Sequence, residues 1–123
     1  MNATEADGFD ETADDRPPFP YVGPQALCQP IVGALSRVID PEIAMTIVDV
    51  GLVCAVTVTD ERVHVQLTMT SAACPVADLI VEEVETELDG VVPAGIAIDV
   101  ELVWEPPWTI DRMSERARRT MHW

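Results

Sequence analysis

A chain of 123 residues with 22 acidic side chains, seven arginines and no lysine carries a net charge of −15 and has the length of one domain. That field repels phosphate backbones and anionic lipid, so nucleic acid and membrane surfaces are excluded as expected partners. Three cysteines (Cys28, Cys54 and Cys74), an odd number with no CxxC and no Cys/His cluster, exclude a disulfide framework and a self-contained zinc site.

Residues 1–23 read as a disordered acidic tail. They hold Glu5, Asp7, Asp10, Glu11, Asp14 and Asp15 against Arg16, few apolar side chains, and an extended Arg16-Pro17-Pro18-Phe19-Pro20 stretch. A chain beginning near Val22 is therefore expected to melt within a few degrees of the full one. The N-terminus lacks the basic and apolar regions of a secretory signal and is too acidic for a transit peptide. The longest apolar run, Val50 to Val58, is far short of the roughly 20 residues of a spanning helix. The cytoplasm is the expected compartment.

Residues 24–123 read as a single α/β domain. Pro24 or Pro30 opens a first helix, whose Leu27, Ile31, Ala34, Leu35 and Val38 recur on one face; Asp40-Pro41 ends it. Residues 40–50 form a loop with apolar anchors, and Gly51 leads into a strand over Leu52 to Thr59, in which Cys54 shares a face with Leu52, Val56 and Val58 and is expected to pack in the core. Asp60-Glu61 turns the chain without the glycine that a tight hairpin prefers. The return strand alternates cleanly, with Val63, Val65, Leu67 and Met69 facing one way and Arg62, His64, Gln66, Thr68 and Thr70 the other. His64 is expected as an exposed strand residue.

That strand ends in Thr68-Met69-Thr70-Ser71-Ala72-Ala73-Cys74-Pro75, around which the chain is organised. Proline suits the first helical position, so Cys74 falls at or beside a helix N-cap, where free N–H groups and the helix dipole stabilise a thiolate. Such a thiolate can bind a soft metal or attack an electrophile; a small buried Cys filling a turn is the plain alternative. The helix runs from Pro75 to about Asp89, with Gly90 beyond it. Val76, Leu79, Ile80, Val84 and Leu88 form its expected buried stripe, and Glu82, Glu83, Glu85 and Glu87 a solvated face. A third strand carries Ile96, Ile98, Val100, Leu102 and Trp104 to Pro106-Pro107, and Ser114 caps a last helix ending in arginines. The order α-β-β-α-β-α predicts a small mixed sheet of three to four strands with helices on one face and the third strand parallel to the second.

Several separated motifs then agree. Asp40-Pro41-Glu42, Ile47-Val48-Asp49-Val50-Gly51-Leu52-Val53, Leu67-Thr68-Met69-Thr70 with Cys74-Pro75, Trp104-Glu105-Pro106-Pro107-Trp108, and Met113-Ser114 occur in this order over about residues 27–120. In order and spacing they resemble the small metal–sulfur cluster assembly proteins of the SufT and PaaD type. The resemblance implies an α/β fold, a non-catalytic part in iron–sulfur cluster assembly or delivery, and a cysteine at Cys74 that holds iron or cluster, transiently. It makes Asp40, Glu42, Asp49, Thr70 and Trp108 residues that line the site. Its implied partners are a client metalloprotein or other cluster-assembly proteins, with a homodimer as an option. The cysteine-rich C-terminal segment of longer PaaD-type members has no counterpart before Met121-His122-Trp123, and Asp60-Glu61 replaces the family's frequent Asp-Gly.

Soft thiolates suit iron–sulfur species and carboxylates are acceptable partners for iron, but a cluster wants about four ligands and this chain offers one well-placed thiol. Either two chains share the cluster or Cys74 holds it with a client. A metal-free adaptor for maturation of a metalloenzyme such as an oxygenase is the competing reading. A thiol enzyme would need a positioned base, and only His64 and His122 exist. Asp40, Glu42 and Asp49 are expected to line the loop beside Cys74, with at least one of their carboxylates within about 10 Å of its sulfur.

Overall fold

The computed structural model describes residues 17–70, 77–105 and 107–122. Its centre is a four-stranded sheet in the order β1-β4-β5-β6, made of Tyr21–Val22, Val53–Val58, Arg62–Leu67 and Ala97–Leu102. β4 and β5 are antiparallel, and β5 and β6 are parallel, joined through helix α3 (Ala77–Asp89). This is the mixed sheet the residue pattern predicts, with β5 in the interior because its Val63, Val65 and Leu67 are wholly buried. Helix α1 (Gln25–Leu35) packs against α3, and the two close the core with Ile31, Leu35, Ile80, Val84 and Leu88. The order is α1-β4-β5-α3-β6-α4, with α4 at Glu115–Met121, plus short elements that the periodicity does not reveal.

One of these is β1, and it corrects the expected tail. Residues 17–23 belong to the domain: Phe19 is only 6% exposed within the core, Tyr21 and Val22 pair in parallel with Val56 and Thr57, and the Val56 N–H donates to the Pro20 carbonyl at 3.0 Å. Three prolines favour extended backbone, and extended backbone also fits a sheet edge, where a missing N–H leaves no ladder bond unmade. Residues 1–16 lie outside the described residues. A chain beginning at Val22 loses Phe19 and half of β1. It is expected to fall by about 2 kcal/mol, roughly 10 °C in melting midpoint, rather than to melt unchanged.

Tyr21 gives the same segment a spectroscopic handle. Burial, reinforced by the neighbouring Cys28 thiol, raises the phenol pKa above its ordinary 10.0, and the hydroxyl donates to the Pro24 carbonyl at 2.6 Å. In the unfolded chain the phenol ionises at the ordinary value, so the folded state holds this proton more tightly. Stability present below about pH 10 is then lost as pH rises through the raised value. Tyr21 is the single tyrosine. Phenolate absorbance near 295 nm is expected to titrate above the midpoint of the denatured chain; coincident midpoints would detach β1 from the domain.

The first helix runs through Pro30, whose ring sits on an exposed position. The predicted loop 40–50 is more ordered than its sequence suggests: β2 (Ile39–Asp40) and β3 (Met45–Thr46) form a small hairpin, followed by one turn of helix, α2 (Ile47–Val50). The turn between β4 and β5 needs no glycine because the Thr59 hydroxyl accepts the N–H groups of Glu61 and Arg62 at 3.2 and 3.1 Å. Three side chains depart from their expected faces. A bulge between Val53 and Ala55 sets Cys54 outside the register, so Val53 is buried and Cys54 half-buried. Leu79 projects from α3 at 48% exposure, and β6 stops before Trp104, which is largely exposed. On the face of the sheet away from the helices, His64 is half-buried between Asp99 and Glu101, with 2.9 Å to the first and 3.0 Å to the second.

No helix among the described residues is long and apolar enough to cross a membrane.

Candidate functional site

The loop ahead of β4 is held from both ends. At its start Asp40 is 1% exposed, and its carboxylate accepts the Glu42 N–H at 2.9 Å while its carbonyl accepts those of Ile43 and Ala44. This Asx turn folds the Asp40-Pro41-Glu42 run into the hairpin and leaves Glu42 exposed. At its end the Thr46 hydroxyl caps α2 by accepting the Asp49 N–H at 3.0 Å. Gly51 closes α2 in the left-handed region (φ 87°), with its N–H on Val48 and that of Leu52 on Ile47. This is the double bond pattern of a glycine-terminated helix.

The C-terminal segment then grips three consecutive residues of this end. Asp49 accepts the Ser114 hydroxyl at 3.0 Å, ion-pairs with Arg116 through its other oxygen, and offers its carbonyl to the Ser114 N–H at 2.8 Å. The Asp49 carboxylate in turn raises the pKa of the exposed Arg116 guanidinium. The Trp108 indole N–H donates to the Val50 carbonyl at 2.8 Å, and Arg112 Nε to that of Gly51 at 2.8 Å. Ser114 also caps α4 by accepting the Ala117 N–H, so one hydroxyl ties two helices together. Asp49 and Trp108 therefore meet at α2 and serve as anchors of the loop. Asp40 and Glu42 sit at its opposite end, each organising or flanking the hairpin.

Thr70 is half-buried at the end of the extension of β5, where the Thr68 N–H still pairs with the Leu52 carbonyl at 2.8 Å. The Thr68 hydroxyl is buried and has no hydrogen-bond partner among the described residues. Cys74 lies outside the described residues, as do Pro75 and Val76 of the expected helix start, and so does the distance from its sulfur to the three carboxylates. In the chain it precedes Ala77, where the described part of α3 begins, by three residues. Of the other thiols, Cys28 is buried, and Cys54 lies 3.5 Å from the Arg112 guanidinium. No group of three or more His, Cys, Asp or Glu side chains that could hold a metal occurs among the described residues.

Two parts of this arrangement escape sequence reading. Arg112 reads as one of several C-terminal arginines, yet it also donates to Val53 and packs its backbone on Gly51. The one available signal is Gly51 itself, directly after an apolar run. The pairing of Asp49 with Ser114 and Arg116 spans more than sixty residues and leaves no local pattern.

Comparison with known proteins adds the family. Residues 29–101 match the iron–sulfur cluster assembly protein family. The chain is 42% identical over 95 residues to the Fe-S protein maturation auxiliary factor YitW of Bacillus subtilis, covering 76% of this chain and 92% of that one. It is 45% identical over 82 residues to the Fe-S protein maturation auxiliary factor SufT of Staphylococcus aureus, covering 66% and 92%. Among solved structures it resembles a domain of unknown function from Bacillus anthracis at 38% identity and a TM-score of 0.74, over 80% of this chain and 93% of that one. A conserved hypothetical protein from Thermotoga maritima aligns at 34% identity and a TM-score of 0.66, over 77% and 93%.

Proposed function

This chain belongs to the iron–sulfur cluster assembly protein family, and we infer from that membership that it is an accessory factor in the maturation of iron–sulfur proteins. The observation that carries the inference is its identity of 42% and 45% to relatives named as maturation auxiliary factors, over nearly their whole length. Within that role Cys74 is the ligand for iron or for a cluster, which passes through as cargo on its way to a client protein. The chemistry supports this assignment: the thiolate is the soft donor iron–sulfur species need, and the segment that bears it leads directly into a 13-residue helix whose dipole favours negative charge at its start.

One thiol falls short of the roughly four donors of a cluster. The remaining ligands come from the client or from a second copy of this chain, so that holding is transient and transfer is a ligand exchange rather than a catalysed step. Asp40, Glu42, Asp49, Thr70 and Trp108 frame this station; Asp40, Asp49 and Trp108 act by fixing the backbone of its walls.

Cells in which the only copy of the protein carries Cys74→Ser test this reading. In these cells and in cells lacking the protein, an endogenous iron–sulfur dehydratase is expected to lose activity alike. Full activity would transfer the role to a metal-free adaptor.

A further inference from the structure

Five large apolar side chains are exposed among the described residues: Val22, Ile39, Leu79, Trp104 and Ile110. Ile39 and Leu79 share one depression. Ile39 is 44% and Leu79 48% exposed, and together with Pro41 and Ile80 they line one groove between the β2–β3 hairpin and α3. Leu79 is also shared with an adjoining depression walled by Glu82, Glu83 and Glu87. Arg37 borders both depressions, and its guanidinium is held by Glu87 at 2.7 Å. Helix α3 carries six acids (Asp78, Glu82, Glu83, Glu85, Glu87 and Asp89) and no base. An apolar slot therefore lies against a strongly negative wall.

We propose that this groove is the docking surface for the client that receives the cargo of Cys74, and that the client presents an apolar side chain flanked by Lys or Arg. The proposal rests on the maturation role and names the surface and partner chemistry for it. Three observations select this occupant. A second copy of the chain would bring two acidic α3 helices together in a molecule of net charge −15, which like-charge repulsion disfavours. A basic partner gains from both depressions at once, the apolar one by burial and the acidic one by charge pairing. The groove is also close to the thiol along the chain, since Cys74 precedes Leu79 by only five residues.

The test uses the full chain with Ile39→Thr and Leu79→Gln together, which keep β-branching and helix propensity at exposed positions. Melting is expected within a few degrees of wild type and iron retained after anaerobic reconstitution unchanged, while maturation of the iron–sulfur dehydratase in cells falls at least tenfold. Glu82→Gln with Glu83→Gln is expected to give a smaller loss. A photo-crosslinking residue at position 79 is expected to trap client peptides with Lys or Arg beside an apolar residue. Normal maturation by the groove variant, loss of its iron, or crosslinks to a second copy of this chain would each overturn the proposal. Failure of the ligand role is distinguishable: Cys74→Ser would then mature the client normally while the groove variant still fails.

Discussion

Gly51→Ala is expected to destabilise the domain by about 3 kcal/mol and to lower its melting midpoint by roughly 12–24 °C. Two terms add. Gly51 sits at φ 87°, a left-handed conformation that costs an L-residue about 1–2 kcal/mol. A Cβ there would also overlap the Arg112 carbonyl oxygen, and that atom belongs to backbone and cannot swing aside. Relief of the clash must move Arg112, and with it the bonds by which Arg112 and Trp108 hold Gly51 and Val50. Gly95 separates the two terms. Its φ of 92° is equally left-handed, but no atom of the described residues lies within 4 Å of a Cβ built on it. Gly95→Ala is expected to cost only the backbone term, about 1 kcal/mol. Equal losses at the two sites would mean that Arg112 does not pack on Gly51 in solution. Differential scanning calorimetry of both variants reads the comparison.

The large elements are legible because their apolar periods are long and regular. Val63, Val65 and Leu67 alternate without interruption, and Ile80, Val84 and Leu88 repeat at helical spacing, so β5 and α3 follow directly from the order of side chains. Leu79 breaks that reading for a physical reason: hydrophobicity predicts what can be buried, and a side chain on the flank of the stripe is buried only if a neighbour covers it. Phe19 fails in the opposite direction. Its surroundings of prolines and acids dilute one apolar residue below any window average, while β1 has only two paired residues to show. Cys54 loses its expected face to a bulge, which shifts alternation by one and leaves no local mark in the chain. At the candidate site, the caps by Thr46 and Ser114 are short-range and readable. The clamp of Asp49, Val50 and Gly51 by Trp108 and the residues after it is long-range and is not. Composition gives Asp49 a carboxylate suited to iron; the fold gives that carboxylate a hydroxyl and a guanidinium to hold.

Cys74→Ser is expected to remove at least nine-tenths of the iron the chain retains while leaving the fold in place. Serine is nearly isosteric, and replacing sulfur by oxygen beside Ala72, Ala73 and Pro75 creates little cavity, so the melting midpoint is expected to shift by no more than about 2 °C. The hydroxyl is a poor substitute in coordination, because it stays protonated at neutral pH where iron–sulfur species require a soft thiolate. Neither remaining thiol can stand in: Cys28 is a buried residue of α1, and Cys54 lies at the bulge of β4 beside Arg112. Maturation of the client is expected to fail in parallel with iron retention, since transfer by ligand exchange cannot begin from an unloaded chain.

The most direct measurement is therefore anaerobic reconstitution of the wild-type and Cys74→Ser chains with iron and sulfide, followed by desalting and determination of iron per chain with the visible absorption spectrum. The wild-type chain is expected to keep iron and show sulfide-to-iron charge-transfer absorption, and the Ser variant to keep neither while melting at the same temperature. Equal iron and the same spectrum in both would contradict Cys74 as the ligand, and with it the central claim.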